Sequence, residues 1–571
     1  MRKIILRKFY FIVGFLITLS LLWPLFFAPY FSHHDDIQPI RIYEMDRCIK
    51  DLQIPCRWVP DLGGGYGYPL FNYYGPLPYY VGEVFYLLSG NLLFAAKAIF
   101  GLSLIVSYVF MYLLGSHLWG QKGGSVSAVF YALVPYRALD MYVRGAMGEL
   151  WALAFFPAIV WSLLRLKDRP NLGNTLLLGI FISLLVLSHN LSAMLFLPLV
   201  ILLAATLFFQ SKNWQFLKYF ITGGLLGIIL SAFYLFPMII EKDLVHVDTT
   251  TVGYFSYTEH FKGLKKLFLD RSWQYGNSNR EVPGGEKDGL SYQIGVVHLL
   301  ALILALWVAK LFWKDRRELS LIIIFSLTAI VVSIFMIHPR SEFIWKLIPP
   351  LKYLQFPWRF LLIISFFISM VAGAIFLSNK GLVKRNWFWW LLVVLAVALN
   401  FSYFRPQKFY YYNQDFLLSG EKFDYLKRYT IFDYLPKSAE APPAGIAEAP
   451  YQILSGRGEV TNFRQGSDWM KFTINSGDRT IVRLSEYYFP NRVVKANNKP
   501  ILIDYKNSLG LVTFMLGEGR YDIDSRLLDT PVRAISNMLS LSGIVMLIVL
   551  SLLSFKEGRE KLQYYIKGLN G

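Results

Sequence analysis

Two adjacent carboxylates, Asp35 and Asp36, follow directly after the first long apolar run of the chain. Neighbouring carboxylates repel each other, which raises the pKa of one of them unless a cation lies close by. One carboxylate would then suit a general base acting on a hydroxyl. Alternatively, the pair would bind a divalent metal such as Mg²⁺ or Mn²⁺ with His33 or His34 and bridge to a pyrophosphate. A third interpretation is an acidic turn that caps the following helix.

The segment that carries this pair, residues 30–80, is rich in further polar side chains. His34, Arg41, Arg57 and Asp61 are candidate substrate-binding residues within it. The apolar spacing in this segment predicts a short amphipathic helix on the membrane surface, with the charged residues on its polar side. The apolar positions of this helix are Ile42, Met45, Ile49 and Leu52, and the polar ones are Arg41, Asp46 and Lys50.

A glycine run and an aromatic run close the same segment. The run from Gly63 to Pro69 has four glycines and no charge, which permits tight turns and close backbone approach to a ligand. The aromatic run from Phe71 to Tyr80 would stack on sugar faces or form an interfacial aromatic belt. The two interpretations of the aromatic run stay open.

Charged side chains recur where later apolar runs end. Arg144 and Glu149 lie five positions apart beside such a run. Because charges at the bilayer edge are costly without partners, this pair is either a functional site or a structural ion pair. His189 and Asn190 lie between two apolar runs, and His189 would contact a phosphate or a hydroxyl, or would only be hydrogen-bonded.

A further group stands at the start of a late apolar run and includes an arginine. Its candidate substrate-binding residues are Gln355, Trp358 and Arg359. The planar guanidinium of Arg359 would bind a lipid phosphate, and the alternative is a snorkelling anchor. In the second long polar segment, His246, Tyr257, His260 and Trp273 are weaker candidates for contact with an acceptor.

The composition of the chain indicates which kind of fold positions these residues. The chain has 571 residues, is 55% hydrophobic and has a mean hydropathy of +0.41. Several apolar stretches exceed the roughly 18 residues that a membrane-spanning helix needs. The net charge is +19, and the lysines and arginines gather in alternate short loops, as they do in the cytoplasmic loops of membrane proteins. The sequence therefore predicts an all-α polytopic membrane protein that does not bind nucleic acid.

The alternation of basic loops predicts about twelve spans with both termini in the cytoplasm. The segment 80–88 would be an interfacial or re-entrant helix, and the N-terminal run an uncleaved first span. The predicted spans are 10–29, 92–116, 124–139, 150–164, 172–188, 191–209, 217–240, 291–312, 319–337, 358–377, 387–404 and 534–554. The predicted organisation is a transmembrane domain at 1–404 with outer loops 30–80 and 241–290, a β-rich outer domain at 405–532, and a last span with a cytoplasmic tail at 533–571.

Period-two alternation marks the predicted β-rich domain. Residues 471–475 and 480–485 alternate between apolar and polar, and the turn-forming run Asn475–Arg479 separates them. Such strands at short intervals predict a small antiparallel sandwich. Residues 439–450 are typical of a linker. The chain has two cysteines, Cys48 and Cys56, which are either paired as a disulfide or free.

The loop HHDDIQPIRIYEMDRCIKDLQIPCRWVPDLGGGYGYPLFNYYGPLPYY resembles the first-loop signature of a family of bacterial and archaeal membrane proteins. This family is called 6-pyruvoyl-tetrahydropterin synthase-related, a name that implies no pterin chemistry here. The resemblance to this family extends to Arg144–Gly145 with Glu149, to His189–Asn190 and to Gln355–Arg359. It also extends to the C-terminal pattern from Tyr487–Pro490 through Gly519–Tyr521 to Thr530–Arg533.

These proteins are similar to the GT-C superfamily of membrane glycosyltransferases, whose donors are polyprenyl-phosphate or polyprenyl-diphosphate sugars. The resemblance implies that Asp35 or Asp36 is the catalytic carboxylate that deprotonates the acceptor hydroxyl, and we favour Asp36, with Asp35 as its metal- or hydrogen-bonding neighbour. Arg359, Arg144 or His189 would neutralise the leaving phosphate. The expected acceptor is a glycan, lipid or protein on the extracytoplasmic face of the plasma membrane, in envelope glycan or glycoprotein synthesis.

Two other classes of function are compatible with the same sequence. A transporter or flippase for lipid-linked glycans would place charges at mid-membrane and show inverted repeats. A non-catalytic assembly protein of the cell envelope would bind glycan with its β domain and would not need Asp35 or Asp36. The charges of this chain gather at the ends of the apolar runs and no repeat is detectable, which favours the enzyme.

Overall fold

The computed structural model describes residues 2–280, 288–378, 385–428 and 432–569, with side chains from residue 8 to residue 554 within those ranges. Long apolar helices dominate this part of the chain. Seven of the described helices are long and apolar enough to cross a membrane: Leu92–Leu133, Met147–Asp168, Asn190–Ser211, Arg317–Ile337, Pro357–Leu377, Asn386–Tyr403 and Pro531–Ser554. An eighth span arises if Trp214–Leu230 and Ala232–Ile240, bent by 74° to each other, are counted together. The shorter apolar helices are Lys8–Ser20, Leu172–Ser188 and Val296–Leu311.

Each predicted span overlaps one of these helices or the bent pair. The helix Leu92–Leu133 serves two predicted spans, because its backbone leaves the helical region at Gly120, where φ is 74°. The described residues thus form a mostly helical protein with a β-sheet region near the C-terminus, which confirms the predicted fold class. Since length and composition qualify seven or eight of the described helices, the number of twelve crossings stays a prediction.

Short helices form much of the first outer loop and the turns near the site. In the first outer loop they are Gln38–Lys50, Leu70–Tyr73 and Leu77–Ser89. Between two spans lie the α-helix Pro135–Leu139 and the π-helix Asp140–Arg144. The second outer loop contains the 3₁₀ turns Lys242–Leu244, Val247–Thr251, Gly253–Phe255 and Tyr257–Glu259 and the short helix Leu264–Phe268.

The predicted amphipathic helix is present as Gln38–Lys50, but its predicted place on the membrane surface is wrong. Ile42, Met45 and Cys48 are 0% exposed, and Arg41 on the predicted polar side is buried as well. The helix packs between Leu77–Ser89 and Leu92–Leu133. Hydrophobic periodicity identified the helix but could not distinguish a lipid surface from a protein one, because both cover apolar side chains.

The turn after this helix is closed by a disulfide between Cys48 and Cys56. Both cysteines are buried. Of the two possibilities that the sequence left open, the structure contains the paired form, which ties the end of the helix to the strand-like segment that carries Arg57.

The predicted antiparallel sandwich is present over residues 451–527. Its strands are Tyr451–Ser455, Gly458–Gln465, Trp469–Ser476, Thr480–Tyr487, Arg492–Ala496, Lys499–Pro500, Leu511–Leu516 and Gly519–Leu527. One sheet has five strands, which are in spatial order the second, third, eighth, fifth and sixth of these. The other sheet has three strands, which are the first, fourth and seventh. Phe472, Ile474, Val482 and Phe514 contribute to the buried core between the two sheets. Asn497 and Asn498, between the fifth and sixth strands, have the positive φ of a tight turn.

The part of the predicted β-rich domain before residue 451 is mostly not β-structured where it is described. Its two-residue strand Phe409–Tyr410 pairs with Tyr30–Phe31 of the first outer loop. The helices Gln414–Leu417 and Gly420–Arg428 follow. The predicted linker at 439–450 contacts the glycine run, since the N–H of Ala447 donates to the carbonyl of Gly64 at 2.8 Å.

Asp51 makes several of the hydrogen bonds that attach the sandwich to the first outer loop. Asp51 accepts hydrogen bonds from the backbone N–H and the hydroxyl of Ser467, both at 2.8 Å, and from the indole N–H of Trp469 at 2.9 Å. The Tyr487 hydroxyl donates to the carbonyl of Gly63 at 3.1 Å. The first outer loop and the sandwich therefore lie on the same side of the helical bundle.

Replacing Asp51 should loosen this attachment. Asp51→Ala leaves three donors without their acceptor, and hydrogen bonds to a charged group contribute about 1.5–3 kcal/mol. We expect a lower midpoint of thermal unfolding and faster proteolysis within residues 439–450. The matched control is Glu459→Ala, which removes an exposed carboxylate from a strand of the same sandwich. Equal proteolysis of the two variants would contradict this role for Asp51.

Candidate functional site

The acidic pair is held by backbone hydrogen bonds on two sides. The preceding strand Tyr30–Phe31 pairs with Phe409–Tyr410. The N–H of His34 donates to the carbonyl of Val143 at 2.9 Å, and the N–H of Asp35 donates to that of Arg144 at 3.0 Å. The pair is thereby fixed against the segment that carries Arg144, which lies more than a hundred residues further along the chain.

The two carboxylates have different surroundings. Lys422 Nζ lies 3.1 Å from Asp36 Oδ2. In contrast, no described residue donates a hydrogen bond to the Asp35 carboxylate or forms an ion pair with it. Burial raises the pKa of both groups above the usual carboxylate value; Lys422 opposes this at Asp36, and Arg41 and then Arg144 oppose it at Asp35. Asp35 is therefore the carboxylate that remains available for a ligand.

Lys422 belongs to the site but was missed in the sequence. It lies on the helix Gly420–Arg428, which packs over the first outer loop. A lysine within a short, strongly charged helix is an ordinary surface feature, so composition and spacing carried no signal for its role. The pairing of Phe409–Tyr410 with Tyr30–Phe31 brings this segment of the chain to the first outer loop, where Lys422 contacts Asp36.

Arg41 is oriented by a chain of hydrogen bonds. Its Nη1 donates to the Tyr79 hydroxyl at 3.2 Å, and its guanidinium lies 4.2 Å from the ring centroid of Tyr74. The Tyr79 hydroxyl donates to Gln38 Oε1 at 2.6 Å, and Gln38 Nε2 donates to the carbonyl of Gly145 at 2.8 Å. A stacked, buried arginine is thus positioned near Asp35, and its charge lowers the pKa of that carboxyl.

Glu149 bridges two arginines from different elements. Arg144 donates to both of its carboxylate oxygens, with Nη1 at 2.9 Å and Nη2 at 2.8 Å. Arg359 Nε donates to Glu149 Oε1 at 3.0 Å. The sequence left open whether Arg144 and Glu149 form a structural pair, and the structure shows an ion pair that also includes Arg359.

The residues around Arg359 complete this cluster. Arg359 Nη1 donates to Gln355 Oε1 at 3.0 Å, so Gln355 holds the guanidinium in place. The guanidinium carbon of Arg144 lies 4.6 Å from the centroid of the Trp358 ring. Asp140 also accepts a hydrogen bond from Arg144. Among the described residues, none bonds to Arg359 Nη2, so one face of this arginine remains open.

His189 faces the same cluster with one ring nitrogen. Its Nδ1 accepts from the N–H of Ser192 at 3.3 Å and thereby caps the helix Asn190–Ser211. This leaves the proton on Nε2, for which the described chain offers no acceptor. Arg359, Arg144 and Glu149 are its electrostatic neighbours. Asn190 instead accepts from the N–H of Leu191 and acts within its own helix turn.

Three predicted substrate-binding residues are directed elsewhere. Arg57 donates to Asn72 and Asn537, which ties the first outer loop to the last helix. Asp61 forms an ion pair with Arg47. His34 Nε2 donates to the carbonyl of Tyr275 at 3.0 Å and thereby joins the two outer loops. A role for these residues in substrate binding stays a prediction, but the geometry does not bring Arg57 or Asp61 to Asp35.

The predicted metal site does not have a full set of ligands in the described residues. Asp36 is paired with Lys422, His33 Nε2 lies 3.1 Å from the Tyr30 hydroxyl, and His34 is bonded to Tyr275. Within the described ranges no group of three or more His, Cys, Asp or Glu side chains could hold a metal ion. The described side chains alone therefore do not form a complete ligand set, and a Mg²⁺ or Mn²⁺ ion shared with a pyrophosphate stays a prediction from the sequence.

Comparison with known proteins identifies a family. The 6-pyruvoyl-tetrahydropterin synthase related domain, described as a membrane protein, matches residues 71–411. The match includes Arg144, Glu149, His189 and Arg359 and begins after the acidic pair. An uncharacterized protein of Lactococcus lactis subsp. cremoris (strain MG1363) is 24% identical over 242 residues, which are 41% of this chain and 39% of that protein. The alignment thus spans about two fifths of that relative.

Solved structures show a distant likeness. ArnT from Cupriavidus metallidurans bound to undecaprenyl phosphate is 12% identical, with a TM-score of 0.39 over 67% of this chain and 61% of its own. The oligosaccharyltransferase AglB from Archaeoglobus fulgidus, with an inhibitory peptide and a dolichol-phosphate, is 12% identical, with a TM-score of 0.44 over 70% and 56%. The mycobacterial arabinofuranosyltransferase AftD is 13% identical, with a TM-score of 0.42 over 70% and 28%. At these scores the likeness does not establish a shared function.

The contact between Gly145 and His33 offers a test of how the site is held together. Gly145 has a φ of +67°, and a methyl group there would overlap the His33 imidazole. We expect Gly145→Ala to lower the midpoint of thermal unfolding strongly, since overpacking costs about 1–3 kcal/mol beyond the backbone strain. The control is Gly90→Ala, where φ is +65° and no atom lies within 4 Å, so that only about 1–2 kcal/mol of strain is added. Equal shifts in the two variants would show that the His33 contact does not hold the site.

Proposed function

The chain belongs to the 6-pyruvoyl-tetrahydropterin synthase related family of membrane proteins, and we propose that it is an integral membrane glycosyltransferase. It transfers a sugar from a polyprenyl-phosphate or polyprenyl-diphosphate donor to a hydroxyl acceptor on the extracytoplasmic side. The observation that supports this proposal is the Asp35 carboxylate, unpaired among the described residues, next to an arginine cluster in which Arg359 Nη2 has no described partner. A base beside an anion site is the combination that displacement of a phosphate by a hydroxyl requires.

Asp35 is assigned as the general base, in place of the sequence preference for Asp36. Asp36 is occupied by Lys422 Nζ at 3.1 Å, whereas no described side chain occupies Asp35. Burial raises the pKa of Asp35, which brings its proton affinity closer to that of a working base near neutral pH. Asp36 with Lys422 is then a positioning pair that holds the loop and adds no net charge beside Asp35.

The reaction is a single displacement at the anomeric carbon of the donor sugar. The acceptor hydroxyl gives its proton to Asp35, and its oxygen forms the new bond to C1. The bond between C1 and the phosphate oxygen breaks, and the electron pair leaves with the polyprenyl phosphate. Because this leaving group is already an anion, cations that stabilise its added charge take the place of a strong general acid.

Arg359, Arg144 and His189 are the groups proposed to stabilise the leaving phosphate. Arg359 Nη2 and the proton on His189 Nε2 have no partner among the described residues, so both are available to phosphate oxygens. Glu149 fixes both arginines in advance, and preformed donors cost no reorganisation when charge develops. Arg41 adds a third guanidinium on the side of Asp35.

The position of this cluster along the helices suits a lipid-linked donor. Glu149 lies in the first turn of the candidate span Met147–Asp168, and Arg359 in the first turn of Pro357–Leu377. His189 lies at the turn between Leu172–Ser188 and Asn190–Ser211. Helix ends are where a bilayer gives way to its headgroup region, and a polyprenyl phosphate places its charge at that depth.

Substitution of the two carboxylates should separate their roles. We expect Asp35→Asn to lower kcat at least about 100-fold, the loss typical of removing a general base. Asp36→Asn should lose less, since it removes a positioning contact. The measurement is transfer by protein in nanodiscs from a panel of undecaprenyl-phosphate-linked hexoses and pentoses. Asp424→Asn, on the same helix as Lys422, is the control, and undiminished transfer by folded Asp35→Asn would exclude Asp35 as the base.

The pH profile should report the surroundings of Asp35. The base acts when deprotonated, so kcat/KM should fall as pH decreases through the pKa of Asp35, which burial raises above the usual value of about 4. Arg41 lowers this pKa, so Arg41→Gln should move the acid limb to higher pH, and Arg41→Lys should move it less. Arg47→Gln is the control, because Arg47 pairs with Asp61. An acid limb at the same pH in wild type and Arg41→Gln would contradict this coupling.

A further inference from the structure

The second outer loop contains a cleft that the proposed reaction does not use. Its volume is about 480 Å³, which lies within the roughly 300–1,000 Å³ of small-molecule sites. One wall comes from the 3₁₀ turns Gly253–Phe255 and Tyr257–Glu259, and the other from residues 278–280. The side chains that line it include those of Tyr254, Ser256, Thr258, Glu259, Ser278 and Arg280.

A cluster of hydrogen-bonded side chains forms the floor of the cleft. His260 Nε2 donates to the carbonyl of Tyr254, and His260 Nδ1 lies 2.9 Å from Ser278 Oγ. The indole N–H of Trp358 donates to the same Ser278 oxygen at 3.1 Å. Both His260 and Ser278 are buried. Groups that satisfy each other in this way keep their positions whether or not a ligand is bound.

The described lining of the cleft is polar, and its two charged side chains have opposite signs. Arg280 Nη1 lies 3.6 Å from Glu259 Oε1, and the two side chains are 62% and 38% exposed. Burial lowers the pKa of His260 to about 4, so the imidazole is neutral near neutral pH. A balanced pair does not favour a free phosphate, and the hydroxyls beside it do not favour a polyprenyl tail. The chemistry selects for a neutral ligand with many hydroxyl groups.

We propose that this cleft binds the non-reacting sugar units of a carbohydrate acceptor. Tyr254, 47% exposed, offers a ring face to the C–H side of a sugar. Glu259 and Arg280 offer a carboxylate and a planar guanidinium, each able to bond two neighbouring hydroxyls. Ser256 and Thr258, whose hydroxyls lie 2.8 Å apart, add donors and acceptors of the same kind.

The position of the cleft connects it to the acidic pair. Tyr275, at the start of the segment that ends at the cleft, accepts through its carbonyl from His34 beside Asp35. Ser278 in the cleft floor holds Trp358, whose ring lies under the Arg144 guanidinium at 4.6 Å. Trp358 therefore lies between the floor of the cleft and the arginine cluster, and it contacts both. That the bound carbohydrate is the acceptor rests on the proposed function; that the cleft binds carbohydrate does not.

Binding can be measured without any transfer reaction. Full-length protein in nanodiscs is titrated with neutral di- and trisaccharides of glucose, galactose, mannose and N-acetylglucosamine, and tryptophan fluorescence and saturation-transfer NMR are recorded. We expect at least one saccharide to bind, and Glu259→Gln and Tyr254→Ala each to weaken it at least about tenfold. Glu342→Gln is the matched control, since Glu342 is also an exposed carboxylate in an ion pair of the outer surface, with Lys346.

The outcomes separate the cleft from the proposed catalysis. Lack of binding by every saccharide, or binding that Glu259→Gln and Tyr254→Ala leave unchanged, would overturn the proposal even if wild-type protein transfers sugar. Saccharide binding that is retained in Asp35→Asn but lost in the cleft variants would support it. Undiminished transfer in Asp35→Asn would overturn the catalytic assignment and leave carbohydrate binding by the cleft standing.

Discussion

One carboxylate shared by two arginines is the interaction on which the rest of the site depends. Glu149 accepts from Arg144 and from Arg359, which stand near the ends of different apolar helices. Charges at a bilayer edge are stable only when they have partners, so this shared carboxylate allows two cations to remain close together. Arg144 in turn anchors Asp35 through its backbone carbonyl, and its ring contact with Trp358 extends the cluster to the second outer loop.

The two neighbouring aspartates show how strongly surroundings determine chemical role. They are identical in type and adjacent in sequence, yet Asp36 faces a lysine and Asp35 faces arginines that hold other partners. An ion pair neutralises the first and leaves the second accessible. Their different contacts follow from which parts of the folded chain reach each side of one loop. That selection is made by the strand pairing of Tyr30–Phe31 with Phe409–Tyr410.

Sequence patterns predicted the features that depend on residues close together in the chain. Hydropathy located the helices and period-two alternation located the sandwich, while the short spacing of Arg144 and Glu149 indicated a charged pair whose role stayed open. Lys422, the Tyr275 contact of His34 and the true partners of Arg57 could not be predicted, since each depends on segments far apart in the chain. The helix Gln38–Lys50 illustrates the same limit, because its pattern predicted a helix with an apolar side, whereas protein covers that side and also buries Arg41.

The pairing of Asp36 with Lys422 has a consequence for how the protein is made. The partners lie 386 positions apart, so Asp36 leaves the ribosome long before its lysine exists. Throughout most of synthesis, the growing chain holds two adjacent acidic groups next to the membrane without this counter-charge. The candidate site is therefore completed late in translation, after most of the helical bundle has been made, and a prematurely terminated chain would have most of the apolar helices but an incomplete candidate site.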